Sequence, residues 1–411
     1  MFCLLNTYIP MAFLGLLSRW TRRYHGPSDM ALTDPVTGWV GNALFGIDAV
    51  SHRDSAVGDQ AASWVLVFCL AVVAVALTAV WTALDRTPSP RLRAWSTLFL
   101  RLCLGGQMVG FGFAKLIPTQ MPAPTLAQLL QPYGDFSPAS VLWLQVGSSY
   151  PYEMALGAAE VVAGLLLFVS RTAILGAAAS AACTAQILLL NLTFDIPEKL
   201  LAAHLLLISL LLLAPYLRRL ADVLVLQRGC APLRQPALFT EHRRNRITIW
   251  VVAAIGLWVA LGSGYDRWIV WHEQSGAASP KSELYGIWDV HDFTLDGRPI
   301  PPLTTDETRW RRLVFDDPQA ATYQRMNGDL IPAQATFRPG GRLELSTITD
   351  PAGPSAAFAT LSAERPTPDR LILRGTLNDR PVIATLHRVD PDSFTLRSRG
   401  FHWIQEYPYF R

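Results

Sequence analysis

Residues 172–192, TAILGAAASAACTAQILLLNL, and 197–215, PEKLLAAHLLLISLLLLAP, decide the fold of this chain. Each is close to the ~20 mostly apolar residues that an α-helix needs to cross the hydrocarbon core of a bilayer. The same criterion picks out 63–84, 95–115, 152–170 and 248–270. Residues 1–19 make a weaker seventh segment, for which an uncleaved signal or an interfacial helix is the alternative reading. No small-residue cleavage site precedes Trp20, which favours a span. The expectation is a polytopic all-α membrane bundle of about seven transmembrane helices.

Composition agrees and adds a boundary. The 411 residues are 51% hydrophobic and 16% charged, against ~25% charged in a soluble chain. The deficit is confined to the long apolar runs of 62–270, while 272–411 has the composition of an ordinary aqueous domain. The chain therefore divides into a membrane domain, 1–270, and a soluble domain, 271–411. A net charge of +3 is too small to imply a nucleic-acid partner, and the positive residues sit in short inter-helix loops. The cysteines are Cys3, Cys69, Cys103, Cys183 and Cys230. None lies in 272–411 and no CxxC pair exists, which excludes a disulfide-stapled exported domain and a relay of adjacent thiols.

The C-terminal domain alternates with a period of two. Strands are expected at 285–294, 310–315, 321–325, 334–338, 342–348, 356–362, 370–375, 381–387 and 393–398. Turn residues separate them at Asp296-Gly297, Asn327-Gly328, Pro339-Gly340-Gly341 and Leu377-Asn378-Asp379. Short strands at this spacing, joined by hairpins, specify an antiparallel β-barrel or sandwich.

Lys and Arg concentrate on the cytoplasmic side of membrane proteins. Loop 85–94 holds Arg86, Arg91 and Arg93, the next turn holds Arg171, and 216–247 holds Arg218, Arg219, Arg228, Arg234, Arg243, Arg244 and Arg246. These loops share one side, so the expected placement is the inner (plasma) membrane with a periplasmic C-terminal domain. Arg19, Arg22 and Arg23 fall on the opposite side if 1–19 spans. Loop 20–62 contains Gly58-Asp59, and the Pro-rich loop 117–150 contains apolar patterns at 124–131 and 138–146. With Ser137-Pro138 as a helix start, 117–150 reads as two interfacial helices forming a lid over the bundle. Gly106 and Gly110 form a GxxxG, and Ala177 to Ala182 a smooth face, both suited to close helix packing.

Ionisable groups at membrane depth are costly, so each needs a reason. Lys115, Glu153, Glu160, Asp195, Lys199 and His204 stand out, with Gln107, Gln120, Gln186 and Asn191 beside them. Lys115, Glu153, Asn191, Asp195 and Lys199 all fall at helix ends on one membrane face. Glu153 and Glu160 share a helical stripe, with Glu160 two turns deeper. Structural explanations stand beside the functional ones. Asp195 with Glu198 and Pro197 fits a capping-box-like start, and Glu153 suits a first helical turn, where the dipole favours an anion. Lys115 and Arg101 can snorkel to headgroups, and His204 can serve as a packed hydrogen-bonder. No cap or interface accounts for Glu160. No metal-ligand spacing, GxSxG, P-loop or HExxH occurs.

Several local stretches resemble the DoxX-like (DoxX/DoxD superfamily) integral membrane proteins. They are Gly112-Phe113-Ala114-Lys115, Gln120-Met121-Pro122, Pro132-Tyr133-Gly134-Asp135 with Ser137-Pro138, Leu144 to Gly147, Gly157 to Glu160, Ala163-Gly164, Arg171-Thr172, and Asn191 to Lys199 followed by His204. Arg399 to Pro408 is similar to the ending of larger bacterial members, and Ser55 to Val65 to an SGSGD-type stretch whose first positions differ here. The resemblance is strongest over 95–215. It implies kinship with subunits linked to thiosulfate and quinone oxidation and, more distantly, with the membrane portion of vitamin-K-dependent carboxylase.

The resulting expectation is binding of a lipophilic, quinone-like molecule near the outer leaflet, linked to redox chemistry. Lys115, Glu153, Glu160 and Asp195 form the catalytic set, and Gln120, Asn191, Lys199 and His204 the ligand-binding set. No metal is expected, and a quinone is the candidate cofactor. The alternative is a non-catalytic assembly or maturation factor whose periplasmic β-domain binds a protein partner, with Trp403, Tyr407, Tyr409 and Phe410 as its edge. Solute transport ranks third, since no inverted repeat is evident.

Overall fold

The computed structural model describes Thr7, Ile9 and residues 33–411, apart from Arg53, Asp54, Ala56, Arg86, Pro88, 230–236, 276–278, 349–356 and Arg411. The segment 1–19, read as a possible seventh span, lies almost wholly outside the described residues. The chain forms two compact units. One comprises 1–121 and 138–271, the other 122–137 and 272–411.

The helical unit contains α1 (Asp34–Val40), α2 (Ala61–Leu84), α3 (Pro90–Leu116), α4 (Pro138–Gly147), α5 (Tyr150–Phe168), α6 (Ala173–Thr193), α7 (Lys199–Leu213), α8 (Leu217–Leu224) and α9 (His242–Val270). Among the described residues, six helices are long and apolar enough to span a bilayer, with α7 and α8 joined in one of them by a 3-10 turn. Helix α2 shows why lipid is required. Val75, Leu77, Trp81 and Leu84 are all exposed, and apolar area left in water costs about 25 cal/mol per Å².

Glycines set the packing of α3 against α5. A Cβ on Gly112 would lie 2.6 Å from the Val161 backbone nitrogen, and one on Gly164 would lie 2.9 Å from the Gly105 carbonyl oxygen. Gly157 meets the backbone of Gly112, Lys115 and Leu116 still more closely. Two glycines seven residues apart on each helix thus let the backbones touch where lipid supplies no hydrophobic drive. This differs from the GxxxG expected from the sequence, because Gly106 instead faces Ile9. Gly176 brings α6 against Ala163 and Leu167, and Gly256 brings α9 against the Phe168 ring.

The second unit is a meander of nine strands: β1 (Gly286–Leu295), β2 (Arg298–Pro299), β3 (Trp310–Phe315), β4 (Ala320–Arg325), β5 (Leu330–Arg338), β6 (Arg342–Thr347), β7 (Ala357–Thr367), β8 (Arg370–Leu377) and β9 (Arg380–Val389). Each of β3 to β8 pairs antiparallel with the next, and β1 pairs with both β3 and β9, so eight strands close into a barrel. The short β2 only extends the β1 hairpin. The turn residues fill the left-handed region where tight hairpins require it, with Asp296 at φ 51° and Gly297 at 72°, and Asn378 at 48° and Asp379 at 62°. Inside, Trp288, Phe293, Trp310, Leu313 and Phe315 are buried. Phe293 meets Trp310 edge to face (5.8 Å), and Tyr323 meets Phe358 at a tilt (5.6 Å between centroids). The interior is a packed core, as small barrels of eight strands allow.

Two expectations are corrected here. Residues 393–398 are not a strand but a 3-10 turn, Pro391–Ser393, followed by α10 (Thr395–Ser398). β9 already closes onto β1, which leaves no edge for a further strand. The second correction concerns 117–150. Residues 117–121 and 138–150 belong to the helical unit, where Leu142 and Val146 meet Met121 and Ile196. Residues 122–137 fold with the barrel instead. Leu126 packs against Ile287 and Val314 on the barrel's outer surface. Asp316 accepts from the Leu126 and Ala127 amides at 2.8 and 3.3 Å. Burial pushes the Asp316 carboxyl above the usual carboxylate range, against those two donors, which pull it down.

Candidate functional site

The residues singled out from the sequence fall into two groups in the helical unit. The first gathers where α3 ends and α5 begins. Lys115 Nζ lies 2.9 Å from Glu160 Oε2, with both side chains buried. Gly157 makes this pairing reachable, because its missing Cβ admits the α3 backbone at Lys115. The ammonium also lies 5.8 Å from the Phe111 ring centroid. Lys115 therefore does not snorkel, and Glu160 has the partner that its depth demands.

Glu153, one turn into α5, is fully buried. Its Oε1 accepts from the Met121 amide at 3.1 Å, while Oε2 has no partner among the described residues. The side-chain oxygen of the adjacent Gln120 is likewise buried and unpartnered, and the Gln120 carbonyl accepts from Trp143 Nε1 at 3.1 Å. The charge of Lys115 reaches Glu153, and those of Glu160 and Lys115 reach Cys183 on α6. The Ser180 hydroxyl on α6, also buried, has no partner among the described residues. Lys115, Glu160, Glu153 and Gln120 thus form one polar cluster lodged in apolar helix ends. Buried acceptors without donors cost about 1–3 kcal/mol each, so the cluster is chemically suited to a ligand or water that donates hydrogen bonds.

The second group is a clasp at the start of α7. Asp59 accepts from the Lys199 and Leu200 amides at 2.7 and 2.8 Å, across 140 residues of chain. The Gly58 and Asp59 amides donate to the Pro197 carbonyl, both at 3.2 Å. Asn191 Nδ2 donates to the Glu198 carbonyl at 3.1 Å. Glu198 faces Gly58, and burial, then the charge of Asp59, pushes its carboxyl upward. Asp195 is not the cap that the sequence suggested. Its backbone turns left-handed (φ 53°), and its exposed carboxylate meets Lys199 Nζ at 3.0 Å. A left-handed residue four places before the helix cannot offer its side chain to the first-turn amides, and Asp59 supplies that acceptor instead. His204 directs Nδ1 to the Leu200 carbonyl at 2.8 Å, within its own helix.

Lys115, Glu153, Glu160 and Gln120 are therefore brought together, whereas Asp195, Lys199 and Asn191 serve the clasp. Asp59 and Gly58 were missed as partners of 195–200, although the Gly-Asp pair was visible in loop 20–62. Among the described residues, no cluster of three or more His, Cys, Asp or Glu could hold a metal.

The fold and site define a class, a polytopic helical membrane protein with an ion pair inside its bundle and an appended meander barrel. The chain belongs to the family of the uncharacterized protein YwoB of Bacillus subtilis (strain 168), with 36% identity over 122 residues, which cover 28% of this chain and 71% of that protein. No family model matches the chain, and no solved structure matches it.

Proposed function

We propose that the helical unit is a DoxX-like membrane domain that binds a lipophilic, quinone-like molecule at the Lys115–Glu160–Glu153–Gln120 cluster and takes part in its redox chemistry. One observation carries the reading: Glu153 is fully buried, yet one carboxylate oxygen has no partner among the described residues. A quinol hydroxyl would supply the missing donor. Reducing a quinone takes two electrons, which a separate redox partner must supply, and two protons where water is scarce; Glu153 is a carboxyl group in reach of relaying a proton, while Glu160 stays ionised against Lys115. Lys115 holds the charge balance. Asp195, Lys199, Asn191 and His204 have structural partners and drop out of the chemical set.

The cluster belongs to the outer leaflet in this reading. Arg91, Arg93, Arg171, Arg218 and Arg219 lie at the opposite helix ends, which the positive-inside bias assigns to the cytoplasm. Five alternating spans from α3 to α9 then bring the barrel to the periplasmic side of the inner membrane. Loop 122–137, which folds with the barrel, emerges on that side as well.

The test is extraction of lipids from full-length protein purified from native membranes, followed by melting with and without added decylubiquinone. Co-purifying quinone, with a rise in Tm that Glu153→Gln abolishes, is expected. Absence of quinone together with an unchanged Tm would overturn the reading.

A second reading rests on a different observation. Phe401, Trp403, Ile404, Tyr407 and Phe410 are all more than 75% exposed, so the C-terminal segment offers apolar area that a periplasmic protein partner would cover. In that case the chain is an assembly or maturation factor. Crosslinking would return a stoichiometric partner, and Glu153→Gln would leave function intact.

A further inference from the structure

A second charged side chain is buried at the other end of the bundle. Arg101 of α3 is 6% exposed, and its Nε and Nη2 donate to the Leu167 carbonyl at 3.0 and 2.7 Å. That carbonyl belongs to the last turn of α5, where intrahelical donors run out. Arg101 therefore caps α5 from a neighbouring helix and does not snorkel to water, as the sequence alone suggested. The cap leaves about half of its charge uncompensated, since a helix terminus carries about half a negative charge. Among the described residues, no carboxylate pairs with it. Its Nη1 makes no hydrogen bond among those residues.

Arg101 lines a cavity of about 210 Å³ between α3, the turn after α5, and α9. Thr97, Ser170 and Asn245 contribute polar groups to its lining, and Leu98, Ile249 and Val252 contribute apolar ones. Two of the polar groups are already engaged. The Thr97 hydroxyl donates to the Arg93 carbonyl at 2.8 Å, and the Asn245 amide is tied to both backbone groups of Phe239. Arg101 and the Ser170 hydroxyl thus supply the donors that remain. A buried cation without a counter-ion, beside an open space that is half apolar, calls for an anion with an apolar body.

We propose that this cavity binds a phosphate-bearing anion, the headgroup of an anionic phospholipid. The phosphate takes the Nη1 side of Arg101, in the geometry that guanidinium groups favour for phosphate oxygens. The glycerol and first acyl carbons lie on Leu98, Ile249 and Val252. The exposed Arg93, next to Ala94 of the lining, draws anionic lipid toward the cavity. A free phosphate shares the chemistry of the headgroup but would leave the apolar wall uncovered.

The test uses the full-length protein, delipidated in a neutral detergent and melted with phosphatidylglycerol, with phosphatidylcholine or with inorganic phosphate. Phosphatidylglycerol should raise Tm by about 5–10 °C at saturation, and phosphatidylcholine should not. Ser170→Glu places a carboxylate at the cavity lining, satisfies Arg101 internally, and should abolish the response while the protein stays folded. Arg101→Gln should abolish it too; if that variant does not fold, Ser170→Glu carries the test. An equal rise with inorganic phosphate would assign the site to the free anion. A rise of the same size with phosphatidylcholine, or an undiminished response in Ser170→Glu, would overturn the proposal.

Discussion

Breaking the Lys115–Glu160 pair one partner at a time should cost far more than removing both. The two groups are 2.9 Å apart, with side-chain exposures of 7% and 6%. Deleting one partner of a buried pair strands the other and typically costs about 3–5 kcal/mol, whereas removing both charges together strands neither. Lys115→Met leaves a carboxylate in the bundle, and Glu160→Gln leaves an ammonium. At about 2–4 °C per kcal/mol for a unit of this size, each single variant should melt about 6–20 °C below the parent. Lys115→Met/Glu160→Gln should recover most of that loss. The assay is thermal unfolding of the purified full chain in detergent, read as a double-mutant cycle. Single variants that melt with the parent, or a double variant with the summed loss, would show that the pair is not the isolated buried contact described here.

Three further outcomes follow from other contacts. Asp59→Ala should lower stability by about 0.5–2 kcal/mol through loss of the α7 cap, while Asp195→Ala should change it by less than about 0.5 kcal/mol; chemical denaturation of the two variants separates them. Gly157→Leu should prevent assembly of α3 on α5, seen as loss of the folded peak in size-exclusion chromatography, while Gly134→Leu, whose added Cβ meets nothing within 4 Å, should elute with the parent. The Asp316 carboxyl is raised above its ordinary 3.8 by burial, so docking of 125–130 favours its protonated form. Its contribution is full below pH 3.8 and falls as pH rises through the raised value. Hydrogen exchange at Leu126 and Ala127 should therefore gain protection on acidification beyond the intrinsic effect of pH, and Asp316→Asn should remove that gain.

Much of the architecture was legible because it depends on local periodicity. A run such as 197–215 has no alternative in water, and strands bounded by Asp296-Gly297 or Asn378-Asp379 have nowhere else to turn. Strand 393–398 failed for a non-local reason, since its alternation was sound but closure of β9 on β1 had removed the edge. The candidate site was legible in part. Glu153 and Glu160 declared themselves by their depth and shared stripe, and Lys115 by its place at a helix end. Their pairing was not legible, because it depends on Gly157 and Gly112 letting two backbones touch. The Asp195 cap looked sound locally and lost to Asp59, which is remote in sequence.

By itself, the sequence determined what each segment must avoid: apolar helices avoid water, and alternating strands leave no bare edge. Burial of apolar area is additive and short-ranged, so it can be read a window at a time. Only the tertiary structure decided which charge meets which, that 122–137 belongs to the barrel, and that Arg101 faces a cavity without a counter-ion. Ion pairs and caps depend on positions within an ångström, set by helix crossings that no single segment encodes.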